Sequence, residues 1–164
     1  MLDVRALDLD PGAVRVVEVP VPQDPLRLGG ETYRVEPAEP MARVQVQAAQ
    51  GGLYLKLAVA VDVCGPCVRC LEDACAPVPV DASEYHERDG AGELSSDYVA
   101  DGLVDVERWA RDAIVLGLPD KILCSPDCAG LCARCGRRLP PDGGHECGEP
   151  EADPRWEALR EWRG

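Results

Sequence analysis

The sequence has no phenylalanine among its 164 residues, and aromatics make up only 4% of it. A core built without phenylalanine must come from Val, Leu, Ala and Ile, and bound metal is one way to supply stability that such a core lacks. Basic residues are short as well: 17 Lys and Arg stand against 30 Asp and Glu, a formal net charge of −13. That balance argues against non-specific binding to nucleic acid, which depends on Lys and Arg displacing counterions, and it favours a basic partner. No apolar run approaches the roughly 20 residues of a membrane span. Met1 to Asp10 carries Asp3, Arg5, Asp8 and Asp10 where a secretory leader would be apolar. A cytoplasmic chain with no membrane contact is the expectation. No nucleotide-binding glycine loop, nucleophile and base pair, or defensible carboxylate pair is present, so no enzyme is expected.

Cysteine, by contrast, is abundant. Nine cysteines in a chain without an export signal, and an odd number of them, suit metal binding better than a disulfide framework.

Hydropathy patterning gives a coarse order of elements. Ala13 to Val19 is rich in valine and reads as a strand, followed by a loop through Pro20, Pro22 and Pro25. Arg43 to Ala49 alternates Val44, Val46 and Ala48 with Arg43, Gln45 and Gln47. The turn Gln50-Gly51-Gly52 then leads into a second alternating run, Leu53 to Val63, which predicts a hairpin. Pro77 to Tyr85 places Val78, Val80 and Ala82 on one face, so three antiparallel strands form a meander. Arg88 to Asp97 has no periodicity and reads as a loop. A helix follows, capped by Asp105, with Val106, Trp109, Ala110, Ala113 and Ile114 on one face and Pro119 ending it. Asp153-Pro154 signals a second, short helix carrying Trp156, Leu159 and Trp162. Those tryptophans either pack onto the protein's own surface or bind a partner.

Zinc takes four tetrahedral ligands, usually offered as two close pairs. Four such pairs occur: Cys67 with Cys70, Cys124 with Cys128, Cys132 with Cys135, and His145 with Cys147. In the Cys132-Ala-Arg-Cys135-Gly136 segment, the glycine permits the tight path that a zinc knuckle follows after its second ligand. The turn Pro140-Pro141-Asp142-Gly143-Gly144 can fold His145 and Cys147 back onto it. The first site then combines Cys67 and Cys70 with Cys124 and Cys128, clipping helix end to sheet end. In the rival assignment, Cys124 and Cys128 join Cys132 and Cys135, leaving Cys67 and Cys70 as free thiols. Cys64 and Cys75 read as small semi-buried residues or ordinary thiols, and His86 as a surface residue. With both sites filled, the formal charge becomes about −16.

Several of these segments, in this order, resemble the YceD family. They are Cys67-x-Arg69-Cys70-Leu71 after a strand, a helix leading into Leu118-Pro119, the run Cys124 to Gly136, and Asp153-Pro154-Arg155-Trp156. Relatives with the C-terminal extension often end it in Cys-x-Cys, where this chain has His145-Glu146-Cys147. The resemblance implies a part in accumulation of large-subunit ribosomal RNA during ribosome biogenesis. The acidic charge suggests contact with a basic ribosomal protein or assembly factor. The alternative is RNA contact through Arg134, Arg137 and Arg138, in a segment from Lys121 to Gly148 whose four basic residues outnumber three acidic ones. The expected architecture is α+β. A small antiparallel sheet with one principal helix occupies residues 1–120, a zinc ribbon 121–150 and a short helix 151–164. Two other function classes remain open: a thiol-redox protein using Cys67 and Cys70, and a generic zinc-ribbon nucleic-acid module.

Overall fold

The computed structural model describes residues 1–87, 95–142, 144–148 and 155. Its strands are β1 (Leu2–Asp3), β2 (Val14–Pro20), β3 (Leu26–Leu28), β4 (Glu31–Glu36), β5 (Met41–Ala49), β6 (Gly52–Pro66), β7 (Asp73–Glu87), β8 (Val99–Ala100) and β9 (Leu103–Val104), with one α-helix, α1 (Val106–Leu116). The architecture is therefore α+β, mostly antiparallel sheet with a single helix among the described residues. None of those residues forms a helix long and apolar enough to cross a membrane.

The expected meander is the spine of the molecule. Gln50 and Gly51, the latter with φ of 90°, turn β5 into β6, and β6 then pairs with β7 along its whole length, from Gly52↔Glu87 to Pro66↔Asp73. The other edge of β6 is shared: β5 pairs with Gly52 to Ala58, and β4 with Asp62 to Cys64. β2 adds to β5, so the sheet has six strands rather than three.

The extra strands lie partly in the stretch read as a proline loop. The prolines flank a hairpin, with Gly29 and Gly30 at φ of 59° and 92° joining β3 to β4, and Tyr33 and Val35 alternating inward. Two consecutive residues at positive φ give the turn whose twist matches that of paired strands, and Gly-Gly accommodates it without steric cost.

Period-two patterning decides which face is buried. Val44 and Val46 of β5, Leu55, Leu57, Val59, Val61 and Val63 of β6, and Val78 and Val80 of β7 all point inward. Onto this face packs α1, through Val106, Trp109, Ala110 and Ile114, with Trp109 stacked on Tyr98 at 6.0 Å between ring centroids. Asp105 caps the helix by accepting a hydrogen bond from the Arg108 amide at 3.1 Å. Pro77 and Pro79 sit at the free edge of β7. They share the parity of Cys75, whose Cα lies only 4.1 Å from that of Cys64, the narrow spacing of a non-hydrogen-bonded pair. The ring nitrogens therefore face away from β6, and an edge open to pairing loses two donors.

Close approach fixes Gly65. A methyl group there would overlap the Tyr33 ring, whose hydroxyl donates to the Pro66 carbonyl at 3.2 Å. Gly65→Ala is expected to cost about 1–3 kcal/mol, as overpacked sites do, and a denaturant titration checks it. The second helix expected over Asp153 to Trp162 lies outside the described residues, apart from Arg155, and so does most of the expected loop from Arg88.

Candidate metal centres

Two centres are built on the same turn used twice. In the first, β6 ends at Pro66 and the chain reverses through Cys67-Val68-Arg69-Cys70-Leu71-Glu72 into β7. The Cys67 amide donates to the Glu72 carbonyl at 2.7 Å, and the Leu71 amide to the Cys67 carbonyl at 2.9 Å. In the second, the Cys132 amide donates to the Arg137 carbonyl at 2.7 Å and the Gly136 amide to the Cys132 carbonyl at 2.9 Å. The residue after the second cysteine has positive φ in both, 65° at Leu71 and 69° at Gly136. Such turns aim successive backbone amides at one sulfur, which is why CxxC pairs suit thiolate sites.

Tertiary folding brings the second pair to each turn. Beyond α1, the segment carrying Ile122 lies along the first turn, with the Val68 amide donating to the Ile122 carbonyl at 3.1 Å. Cys124 and Cys128 arrive with it. The Sγ atoms of Cys67 and Cys128 are 3.8 Å apart and those of Cys70 and Cys124 3.5 Å, and all four sulfurs lie within 4.8 Å of one another. Four thiolates about 2.3 Å from one tetrahedral zinc would be about 3.8 Å apart, so the spacing fits such an ion.

The second set comprises Cys132, Cys135, His145 and Cys147, whose ligand atoms are equally close, with Cys135 Sγ 3.3 Å from His145 Nε2. Its turn is held as a short hairpin by the Leu131↔Arg138 bridge and by the Leu139 amide donating to the Gly130 carbonyl at 2.8 Å. The structure thus groups Cys124 and Cys128 with Cys67 and Cys70, not with Cys132 and Cys135.

Both sets are electrostatically prepared for a cation. Burial raises the Cys67 thiol, but backbone amides of Arg69, Cys124 and Cys70 outweigh it and bring its pKa down to about 6. At Cys70, the Glu72 amide lowers the pKa, yet desolvation and the neighbouring sulfurs prevail and push it up to about 12. The second set repeats the division: amides of Cys135 and Arg134 hold Cys132 at about 6, and Cys147, facing Cys135 and Cys132, rises to about 11. One thiolate is stabilised in each set, while another keeps its proton for want of positive charge. A metal ion supplies that charge.

One arginine braces the first centre and another links it to the second. Arg69, inside the first turn, donates to the Cys128 carbonyl at 2.6 Å, and Arg138, from the second hairpin, donates to the Cys124 sulfur at 3.6 Å. Arg134, Arg137 and Arg138, the three expected nucleic-acid contacts, are all exposed, with Arg138 also reaching the first centre. His86 is half-buried opposite Leu53, with its Nδ1 enclosed and without a hydrogen-bond partner among the described residues, rather than at the surface.

The reading of Cys64 and Cys75 requires correction. They form a disulfide, because the pairing of β6 and β7 runs past Val63 and Pro77 and sets the two cysteines directly opposite each other. Metal in place of disulfides is therefore not a description of all nine cysteines. The two cysteines flank the Cys67-Cys70 turn on either side, but the predicted strands stopped short of them.

The geometry on these residues meets a match in known sequences. Residues 55–162 match the family described as large ribosomal RNA subunit accumulation protein YceD. This chain belongs to the YceD family. The matched region includes both cysteine sets, β7 and α1. Uncharacterized proteins of Mycobacterium tuberculosis and Mycobacterium bovis are each 31% identical to it over 170 residues, covering 99% of this chain and 81% of the relative. An uncharacterized protein of Mycobacterium leprae is 29% identical, covering 97% and 75%. No solved structure matches the YceD chain significantly.

Proposed function

We propose that this YceD-family chain is a non-enzymatic, cytoplasmic zinc protein that supports accumulation of large-subunit ribosomal RNA by binding a basic ribosomal protein or assembly factor. The observation that carries the reading is the pair of closed four-donor sets lying inside the region matched by a family described by that role. Cys67, Cys70, Cys124 and Cys128 would hold one zinc and Cys132, Cys135, His145 and Cys147 another. A four-ligand protein shell leaves no position for substrate or water, so the ions serve as cross-links rather than Lewis acids. The net charge of −13 supports a basic partner over direct RNA binding.

Native affinity purification tests this reading, with ribosomal RNA and co-purifying proteins quantified before and after nuclease. Recovery of a basic large-subunit protein that survives nuclease is the expected result. Loss of every ribosomal component would leave the family role without support in this chain. A redox role for Cys67 and Cys70 is the second reading, favoured by the lowered Cys67 pKa of about 6. Tightly held zinc in the isolated protein counts against it. The generic nucleic-acid module instead predicts RNA or DNA binding that weakens steeply with salt.

A further inference from the structure

The first metal centre forms one wall of a groove of about 400 Å³. Leu28 and Tyr33 of the β3–β4 hairpin, Val68 and Leu71 of the metal-bearing turn, and Leu118 and Ile122 from the segment after α1 line it. Its only charged lining residues among those described are acidic, Glu31 and Asp120. Both are exposed, and Glu72 and Asp73 follow Leu71 directly.

Leu71 itself is the anomaly. The two metal turns share their hydrogen bonds and their positive φ, yet one has glycine at this position and the other leucine. A left-handed conformation costs a side chain with a Cβ about 1–2 kcal/mol. Burial does not repay it, since Leu71 is 66% exposed and Val68, on the same turn, 50%. A strained residue whose side chain the fold does not use points to a use outside the fold.

We infer that this groove docks a segment of a basic protein in which apolar side chains alternate with or are flanked by Lys and Arg. The apolar side chains fill the space between Tyr33 and Leu71, and the cations face Glu31 and Asp120. Charge complementarity selects this occupant. The charged groups lining the groove are carboxylates, Glu31 and Asp120, so RNA and an acidic peptide are both disfavoured there, although exposed Arg69 and Lys121 lie beside it. The inference deepens the proposed function and rests on its basic partner. It assigns the metal centre a second purpose, since an ion that fixes Cys67 and Cys70 also fixes Val68 between them and Leu71 directly after.

The test uses the full zinc-loaded chain and a fluorescein-labelled synthetic peptide of alternating Lys and Leu, with a control in which every Lys is Glu. The expected result is saturable binding of the Lys peptide that weakens with salt, and no binding of the Glu peptide. Leu71→Asn is the decisive variant, because asparagine tolerates positive φ and so leaves the turn intact while removing the apolar side chain. Binding should weaken at least about tenfold, as loss of a buried leucine contact predicts, with zinc content unchanged. Asp120→Lys should weaken it as well.

Undiminished binding by Leu71→Asn, or equal binding of the Glu peptide, would overturn the groove. So would displacement of the peptide by single-stranded RNA, or a gain in affinity on truncation after Gly148, which would make the chain's own tryptophan-bearing C-terminal segment the occupant. Co-purification of a basic ribosomal protein with wild type and Leu71→Asn alike would overturn the groove while leaving the proposed function standing.

Discussion

Cys70→Ser is expected to lower the zinc content by one ion and to unfold or loosen the body, whereas Cys135→Ser is expected to lose one ion but disturb only the second hairpin. The asymmetry follows from what each centre joins. Cys67 and Cys70 close the β6–β7 turn and are buried, and Cys124 and Cys128 come from the segment that follows α1. An ion in the first set would thus tie sheet to helix, over a sequence separation of 54 residues between Cys70 and Cys124. One in the second would tie Cys132 to Cys147 within one local segment whose Cys135 is exposed. Structural zinc contributes an apparent binding free energy of about 10–16 kcal/mol, comparable to or larger than the about 5–15 kcal/mol by which whole domains are stable. A first centre without one ligand therefore puts the fold at risk. Metal analysis alongside thermal unfolding by circular dichroism reads both effects. Equal, global damage from the two variants would mean that contacts such as that of Arg138 with Cys124 couple the centres so strongly that they behave as one.

Trp109→Ala is expected to cost about 3–5 kcal/mol, the range for emptying a large aromatic site in a core. Trp109 is 2% exposed, the largest fully buried side chain described, and its ring stacks on Tyr98 while α1 presses it toward the sheet. Tyr98, the aromatic beside it, is held by the hydrogen bond of its hydroxyl to Asp112 at 3.1 Å and so is not free to swing into the space. The thermal midpoint should fall by on the order of 10 °C for a chain of this length. Leu116→Ala, on the same helix but 86% exposed, should stay within about 0.5 kcal/mol of wild type. Similar losses from both would contradict the packing of α1 onto the sheet.

Much of the body was legible in the sequence because its determinants are local. Period-two alternation around Val44, Leu57 and Val78 identified the three strands of the meander, and the spacing of Val106, Trp109 and Ile114 after Asp105 identified α1 with its cap. These patterns survive folding because a strand or helix with one apolar face has only one way to hide it. The β3–β4 hairpin was obscured by the prolines around it, although Gly29-Gly30 between alternating residues was a usable turn signal.

The cysteine constellation divides at the same boundary between local and long-range. The spacing of each pair is a property of one turn, so the sequence alone named all eight candidate ligands and their four pairs, and it left the partnership of Cys124 and Cys128 open between two assignments. Tertiary structure decided that partnership, because the Ile122 carbonyl accepts the Val68 amide and lays one segment beside the other. It also decided the Cys64–Cys75 disulfide, which depends on strand register, and the contact of Arg138 with the Cys124 sulfur. The groove under Leu71 belongs with these. No local pattern could show it, since its walls come from β4, the first metal turn and the segment after α1, which meet only when the sheet and helix have packed.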